Sequence, residues 1–175
     1  APADILQCLT KVNIPMSQAL MARADLIIAT GGQPMVRAAH SSGTPAYGVG
    51  AGNSTMIIDE TANIEEAARN TRLSKTSDFG SGCSADGNLI IEASIFDKLV
   101  AQLQKEGGHL ASPAEKELLR KAMWDDERHR TASTVAIAPQ QLAKIAGFEI
   151  PADRKFIMVH GDGIGREHHF SGEKL

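Results

Sequence analysis

Leu26 to His40 reads LIIATGGQPMVRAAH. The run Leu26 to Ala29 is short and wholly apolar, as in a strand buried in a parallel sheet. Gly31 and Gly32 break it. Pro34 suits the first turn of a helix that runs to about Ser41, and Gly43 ends that helix. A buried strand, a glycine turn and a helix make one β-α unit of an α/β fold. The free amides of the helix start, together with its dipole, form an anion site at Gly31 and Gly32.

The same alternation continues along the chain. Met16 to Ala22 has helical spacing, Ala46 to Val49 reads as extended, and Thr55 to Ile58 as a strand. Asn63 with Glu66 forms a capping-box pattern that opens a helix from Ile64 to about Leu73. Leu89 to Glu92 reads as a strand, and Ile95 to Gln104 as a helix closed by Gly107 and Gly108. Ser112, Pro113 and Glu115 start a helix through Trp124. Pro139 to Ala146 is a further helix and Phe156 to Val159 a further strand.

Composition excludes several classes. The chain has 175 residues, 42% apolar and 22% charged, with 18 basic against 21 acidic side chains. That is ordinary for a folded protein, and no basic run is interleaved with aromatics, so nucleic acid is not an expected partner. No apolar stretch approaches the roughly 20 residues that span a bilayer, so no membrane partner is expected either. Cys8 and Cys83 form neither a disulfide framework nor a CxxC pair. A reducing cytoplasm is the expected compartment. The start, APADILQCLTK, lacks an initiator Met and a signal-peptide pattern, as expected of a trimmed or excised chain.

Cys83 lies in KTSDFGSGCSADG, Lys75 to Gly87, among Gly, Ser and Asp instead of the apolar neighbours of a buried thiol. A reactive cysteine needs such exposure, whereas a structural one behaves as a small hydrophobe. Gly80 and Gly82 permit tight or positive-φ turns that let amides converge near the sulfur or near an oxyanion forming beside it. A harmless loop cysteine is the plain alternative. By contrast Leu6 and Leu9 suggest burial of Cys8. Other motifs carry less. Gly48, Gly50 and Gly52 miss the dinucleotide fingerprint at Asn53, Gly161, Gly163 and Gly165 miss it at Arg166, and both clusters read as turns. The histidines lack metal spacing, so no metal is expected. The run Asp125 to Arg130 reads as solvated, Trp124 as a core anchor, and Met21, Met35 and Met56 as packing residues.

Three stretches, ATGGQPMVRAAHSSGTPAYGVGAGN (Ala29 to Asn53), IIDETANIEEAARNTRLSKTSDFGSGCSADGNLIIE (Ile57 to Glu92) and FSGEKL (Phe170 to Leu175), together resemble the CoA-acylating branch of the aldehyde dehydrogenase superfamily. SKTSDFGSGCS, GGHL before a helix ending in AMW, and FSGEKL look most like acylating sulfoacetaldehyde dehydrogenases. The resemblance implies oxidation of a short aldehyde, sulfoacetaldehyde among the candidates, with NAD or NADP as cofactor and coenzyme A as co-substrate. Cys83 matches the nucleophile. Thr30, Gly31 and Gly32 match the loop against the pyrophosphate and nicotinamide, Gly50 a backbone contact near the nicotinamide, and Glu173 the glutamate that binds the nicotinamide ribose. Val49 stands where hydrolytic relatives keep a water-activating glutamate. Without that base, a CoA thiolate is the better acceptor of the acyl group.

The pattern departs from the family at Gln33 and Pro34, where relatives more usually have proline followed by a small residue. Family enzymes are also more than twice as long. The expected organisation is therefore α/β and aldehyde dehydrogenase-like: residues 1–47 form the last part of the cofactor domain and residues 48–175 most of the thiol-bearing catalytic domain, incomplete. On this reading the chain by itself is inactive and its full-length parent a homo-oligomer. Alternatives are a hydrolytic aldehyde dehydrogenase such as a succinate-semialdehyde dehydrogenase, a cysteine hydrolase, and a folded fragment without catalysis.

Overall fold

The computed structural model describes residues 2–50, 52–165 and 167–172. Two compact units divide the chain, residues 1–51 and 52–175.

In the first unit, helix α1 (Ile14–Met21) is capped by the Asn13 side chain, which accepts from the Met16 amide at 2.9 Å. Strands β1 (Ile27–Thr30) and β2 (Ala46–Val49) pair in parallel, and helix α2 (Gln33–His40) makes the crossover between them. Ile27, Ala29 and Ala39 are buried with Met21 as a small core. The opposite face of the pair leaves Ile28 and Tyr47 exposed.

The second unit carries two more parallel pairs. Strand β3 (Ser54–Ile58) pairs with β4 (Asp86–Ile91), and the crossover between them is helix α3 (Ile64–Thr76) followed by a 3₁₀ turn over Ser77–Gly80. The Asn63 side chain accepts from the Glu66 amide, so the cap read in the sequence forms. After helix α4 (Phe96–Lys105), strand β5 (Gly108–Leu110) pairs with β6 (Phe156–Met158). Between these two strands lie α5 (Pro113–Met123) and α6 (Pro139–Ala146), and a four-residue helix α7 (His169–Gly172) follows β6. Gly108 thus opens a strand instead of closing a helix, and α7 follows the glycines at 161–165, where the sequence shows no helix-opening pattern.

Two apolar clusters hold this unit. Ile58, Ala68, Ile95, Leu99, Leu103 and Phe156 form one, so strands of both pairs rest on the layer made by α3 and α4. Leu119, Met123, Trp124, Leu142, Ala143 and Ile157 form the other. Helix α5 begins with a full capping box: Ser112 Oγ accepts from the Glu115 amide and Glu115 accepts from the Ser112 amide. Burial alone would raise the Glu115 carboxyl, yet these hydrogen bonds and His109 at 3.3 Å hold it below the ordinary range.

Trp124 anchors the second cluster, as its sequence context predicts. His169 and Phe170 meet it edge-on, with ring centroids at 5.3 and 5.0 Å, and the Arg130 guanidinium lies 5.3 Å from its ring. Asp125 to His129 are solvated, but Arg130 turns inward to the carbonyls of Met123 and Thr134. Met21 is buried, whereas Met35 and Met56 are 45% and 43% exposed and lie outside the core, Met35 packing only over Gly31. Cys8 corrects a second expectation. It is exposed, because Leu6 and Leu9, at 89% and 42% exposure, pack into no core.

Truncating the wholly buried Leu99 to alanine is expected to cost about 2–5 kcal/mol, through lost transfer energy and a cavity, and a urea titration of the chain reads it. His169 is pushed below its ordinary pKa of 6.5, first by burial and then by the charges of Arg128 and Arg120. The folded state therefore prefers the neutral ring, and stability falls as pH drops below 6.5 toward the folded value. Because Trp124 is the sole tryptophan, its fluorescence should be quenched on acidification with a midpoint below 6.5, and His169→Gln should remove the step. A midpoint at or above 6.5 contradicts the burial of that ring.

Candidate active site

Thr30, Gly31, Gly32 and Gly50 share one edge of the first unit. In parallel α/β sheets that edge, at the carboxyl ends of the strands, is where ligands bind. The Gly31 amide donates to Val49 O at 3.0 Å and ties the end of β1 to the end of β2. Gly32 caps α2 in an extended conformation without a side-chain hydrogen bond, leaving the helix start to backbone amides. Gln33, the departure noted in the sequence, has a structural use. Its Nε2 lies 3.1 Å from where a β-carbon on Gly50 would stand, so it covers that glycine. Backbone amides at the start of α2 suit an anionic group such as a phosphate, while Met35 Sδ lies over Gly31 as Gln33 does over Gly50.

Cys83 belongs to the second unit and is exposed. The loop that carries it is set by an unusual backbone. Asp78, Phe79 and Gly80 have φ of 49°, 50° and 71°, three successive left-handed residues at the end of α3. Only glycine adopts this region without a steric cost. Gly80 is also buried, and a β-carbon there would stand 3.2 Å from Lys75 O. The sequence signals the turn at Gly80 but not its extension through Asp78 and Phe79. Gly82 has no positive φ but opens a tight turn, its carbonyl accepting from the Ala85 amide at 3.0 Å. Asp78 is held in place by Ser81, whose hydroxyl donates to its carboxylate at 2.7 Å while the Ser81 amide donates to its carbonyl at 3.0 Å.

On the other side of the thiol runs the segment entering β3. A β-carbon on Gly52 would lie 3.5 Å from Cys83 O and 4.0 Å from Cys83 Cβ. A cleft of about 290 Å³ opens beside the loop, lined by Ser74, Ser77, Asp78, Gly82, Ser84 and Ala85. The larger cleft of this unit, about 1200 Å³ between β4, β6 and α5, does not include Cys83. Glu173 lies outside the described residues. The amides of Asn53 and Asn88, which the sequence does not single out, both reach the Ser171 carbonyl just before it.

The second unit carries an exposed thiol on a strained loop, and the first a glycine edge at the carboxyl ends of its parallel strands. The chain belongs to the aldehyde dehydrogenase family, whose model matches residues 1–153. It is 37% identical to an acylating sulfoacetaldehyde dehydrogenase of Cupriavidus necator, over 99% of this chain and 36% of that protein. An acetylating aldehyde dehydrogenase of Geobacillus thermoglucosidasius superposes with a TM-score of 0.92 at 37% identity, over 97% of this chain and 38% of that one. A propionaldehyde dehydrogenase of Rhodopseudomonas palustris, solved with bound CoA and an acylated cysteine, gives 0.78 at 31% identity, over 90% and 36%. The chain thus spans little more than a third of the length of these relatives.

The left-handed turn has a measurable cost. Phe79→Gly should stabilise the chain by about 1 kcal/mol, because it relieves a left-handed residue whose side chain is 52% exposed. Gly80→Ala should destabilise it by about 1–3 kcal/mol. Paired urea titrations check both, and a destabilising Phe79→Gly together with a neutral or stabilising Gly80→Ala would rule out the turn as described.

Proposed function

We propose that this chain is the thiol-bearing part of a CoA-acylating aldehyde dehydrogenase that converts a short aldehyde, sulfoacetaldehyde being the leading candidate, to its acyl-CoA. The carrying observation is the exposed Cys83 on its constrained loop, within a family match that includes acylating members.

The Cys83 thiolate adds to the aldehyde carbon and forms a C–S bond, while the carbonyl electron pair moves to oxygen. When bound, NAD or NADP would supply the hydride acceptor; as hydride leaves this carbon, the oxyanion collapses to a thioester on Cys83. Attack by the CoA thiolate then breaks the C–S bond, gives the acyl-CoA and regenerates the Cys83 thiolate. Exposure of the sulfur admits both partners. Converging backbone amides stabilise the oxyanion in such sites. The Thr30 to Gly32 turn and Gly50 serve the cofactor, and Glu173 its ribose. Val49, 47% exposed at the end of β2, offers no carboxylate to activate water, which leaves the thioester to CoA. Two free cysteines fit a cytoplasmic protein, and exposed apolar side chains such as Ile28 and Ile57 fit a homo-oligomer.

In the protein at full length, NAD(P)H formation from the aldehyde should require CoA, and Cys83→Ser should abolish it. Incubation with the matching acyl-CoA should place one acyl group on Cys83, located by peptide mass spectrometry. Cys8 is the internal control, since it too is exposed. Equal acylation of both thiols, or equal rates with and without CoA, would refute the assignment.

A further inference from the structure

The Ser171 carbonyl sits at the focus of two side-chain amides. Asn53 Nδ2 donates to it at 2.8 Å and Asn88 Nδ2 at 2.9 Å, filling both acceptor directions of one oxygen. The two donors come from neighbouring strands: Asn53 immediately precedes β3, and Asn88 lies in β4 opposite Thr55. Their approach depends on an irregularity. The register runs from Ser54 opposite Asp86 to Thr55 opposite Asn88, so Gly87 is an extra residue that re-aims the side chains of β4.

The Asn53 amide can face Ser171 in only one sense, because a carbonyl has no proton to give. In that sense its Oδ1 is buried and accepts no hydrogen bond among the described residues. A buried unsatisfied acceptor costs about 1–3 kcal/mol. Such exceptions call for an explanation beyond packing. The receiving segment is itself braced: Ser171 Oγ lies at 3.0 Å from Gly165 O and 2.9 Å from His168 O, and accepts from the Gly165 amide at 3.2 Å. Two features place this junction at the candidate active site. Asn53 directly follows Gly52, the residue against Cys83. Ser171 is two residues before Glu173.

We infer that Asn53 and Asn88 are positioning residues, a two-pronged clamp that fixes the Ser171–Gly172 backbone leading to Glu173 on the strands that flank the Cys83 loop. The clamp rests on the proposed function, in which Glu173 holds the cofactor's ribose. It acts through Glu173 and not on the thiol. Its loss therefore loosens cofactor binding while Cys83 keeps its chemistry. One amide suffices to hold the carbonyl, so the two donors back each other up.

The test uses the protein at full length, with Asn53→Ala, Asn88→Ala and the double variant. Each single variant should raise KM for NAD(P)+ about threefold and the double about thirtyfold, more than the product of the singles. The rate of Cys83 acylation by acyl-CoA, read by mass spectrometry, should stay within about twofold of wild type in all three. Asn88→Ser, which keeps a short donor, should recover part of the double variant's loss when combined with Asn53→Ala. Unchanged KM in the double variant overturns the clamp while leaving the functional reading intact. Parallel losses of acylation and cofactor binding also overturn it, since they report general loosening of the unit. A wild-type protein that neither acylates Cys83 nor reduces NAD(P)+ refutes the functional reading and the clamp's role with it.

Discussion

The parallel pairing of β3 with β4 is the constraint on which the second unit depends. From Ser54 opposite Asp86 to Ile58 opposite Ile91, it brings the segment at 52–53 beside the loop that holds Cys83. The pairing stands because α3 and α4 close one face of it with Ala68, Leu99 and Leu103, all nearly or wholly excluded from water. At the far end the Glu92 amide donates to Ile58 O, and Glu92 accepts from the Glu60 amide, so the ladder is tied off by backbone and side chain together. The left-handed residues at 78–80 are strained by themselves. They persist because the helix before them and the strand after them are both fixed.

Local chemistry explains which parts of this arrangement are legible in the sequence. Pro139 to Ala146 and the helix after Ser112 are read nearly residue for residue, since a proline in the first turn and a reciprocal cap are short-range signals. Strand β5 is not. Three residues form a strand only because β6 arrives beside them, and a diglycine looks like a helix stop until that partner is known. The Gly80 turn is visible as a glycine, whereas Asp78 and Phe79 carry no mark of their left-handed backbone. Cys8 shows the limit of neighbour composition: Leu6 and Leu9 are apolar but have no core to enter. Among the candidate site residues, Thr30, Gly31 and Gly32 are legible as a turn between strand and helix, and Gly50 as part of a turn between two strands. The amides on Ser171 are not, because they join positions 118 and 83 residues apart.

The family assignment and the physical reading meet at different depths. Strand, turn and helix chemistry leads to an α/β fold and to an exposed thiol. The family enters through the match over residues 1–153, and the proposed acyl acceptor through Val49, which stands where the family resemblance places a carboxylate in hydrolytic members. Val49 ends β2 with its side chain 47% exposed, and an aliphatic side chain there has no carboxylate with which to activate water.

Among the described residues all three strand pairs are parallel, and each must wait for a crossover to close: Ile27 for Ala46, Ser54 for Asp86, Gly108 for Phe156. A parallel pair cannot nucleate as a hairpin, so loop-closure entropy is spent before any ladder forms. Refolding from denaturant will accordingly be slow beside a helical bundle of this length, with β5 waiting longest. During that wait the apolar strands are unpaired and open to one another between molecules, so the yield of native chain falls as protein concentration rises.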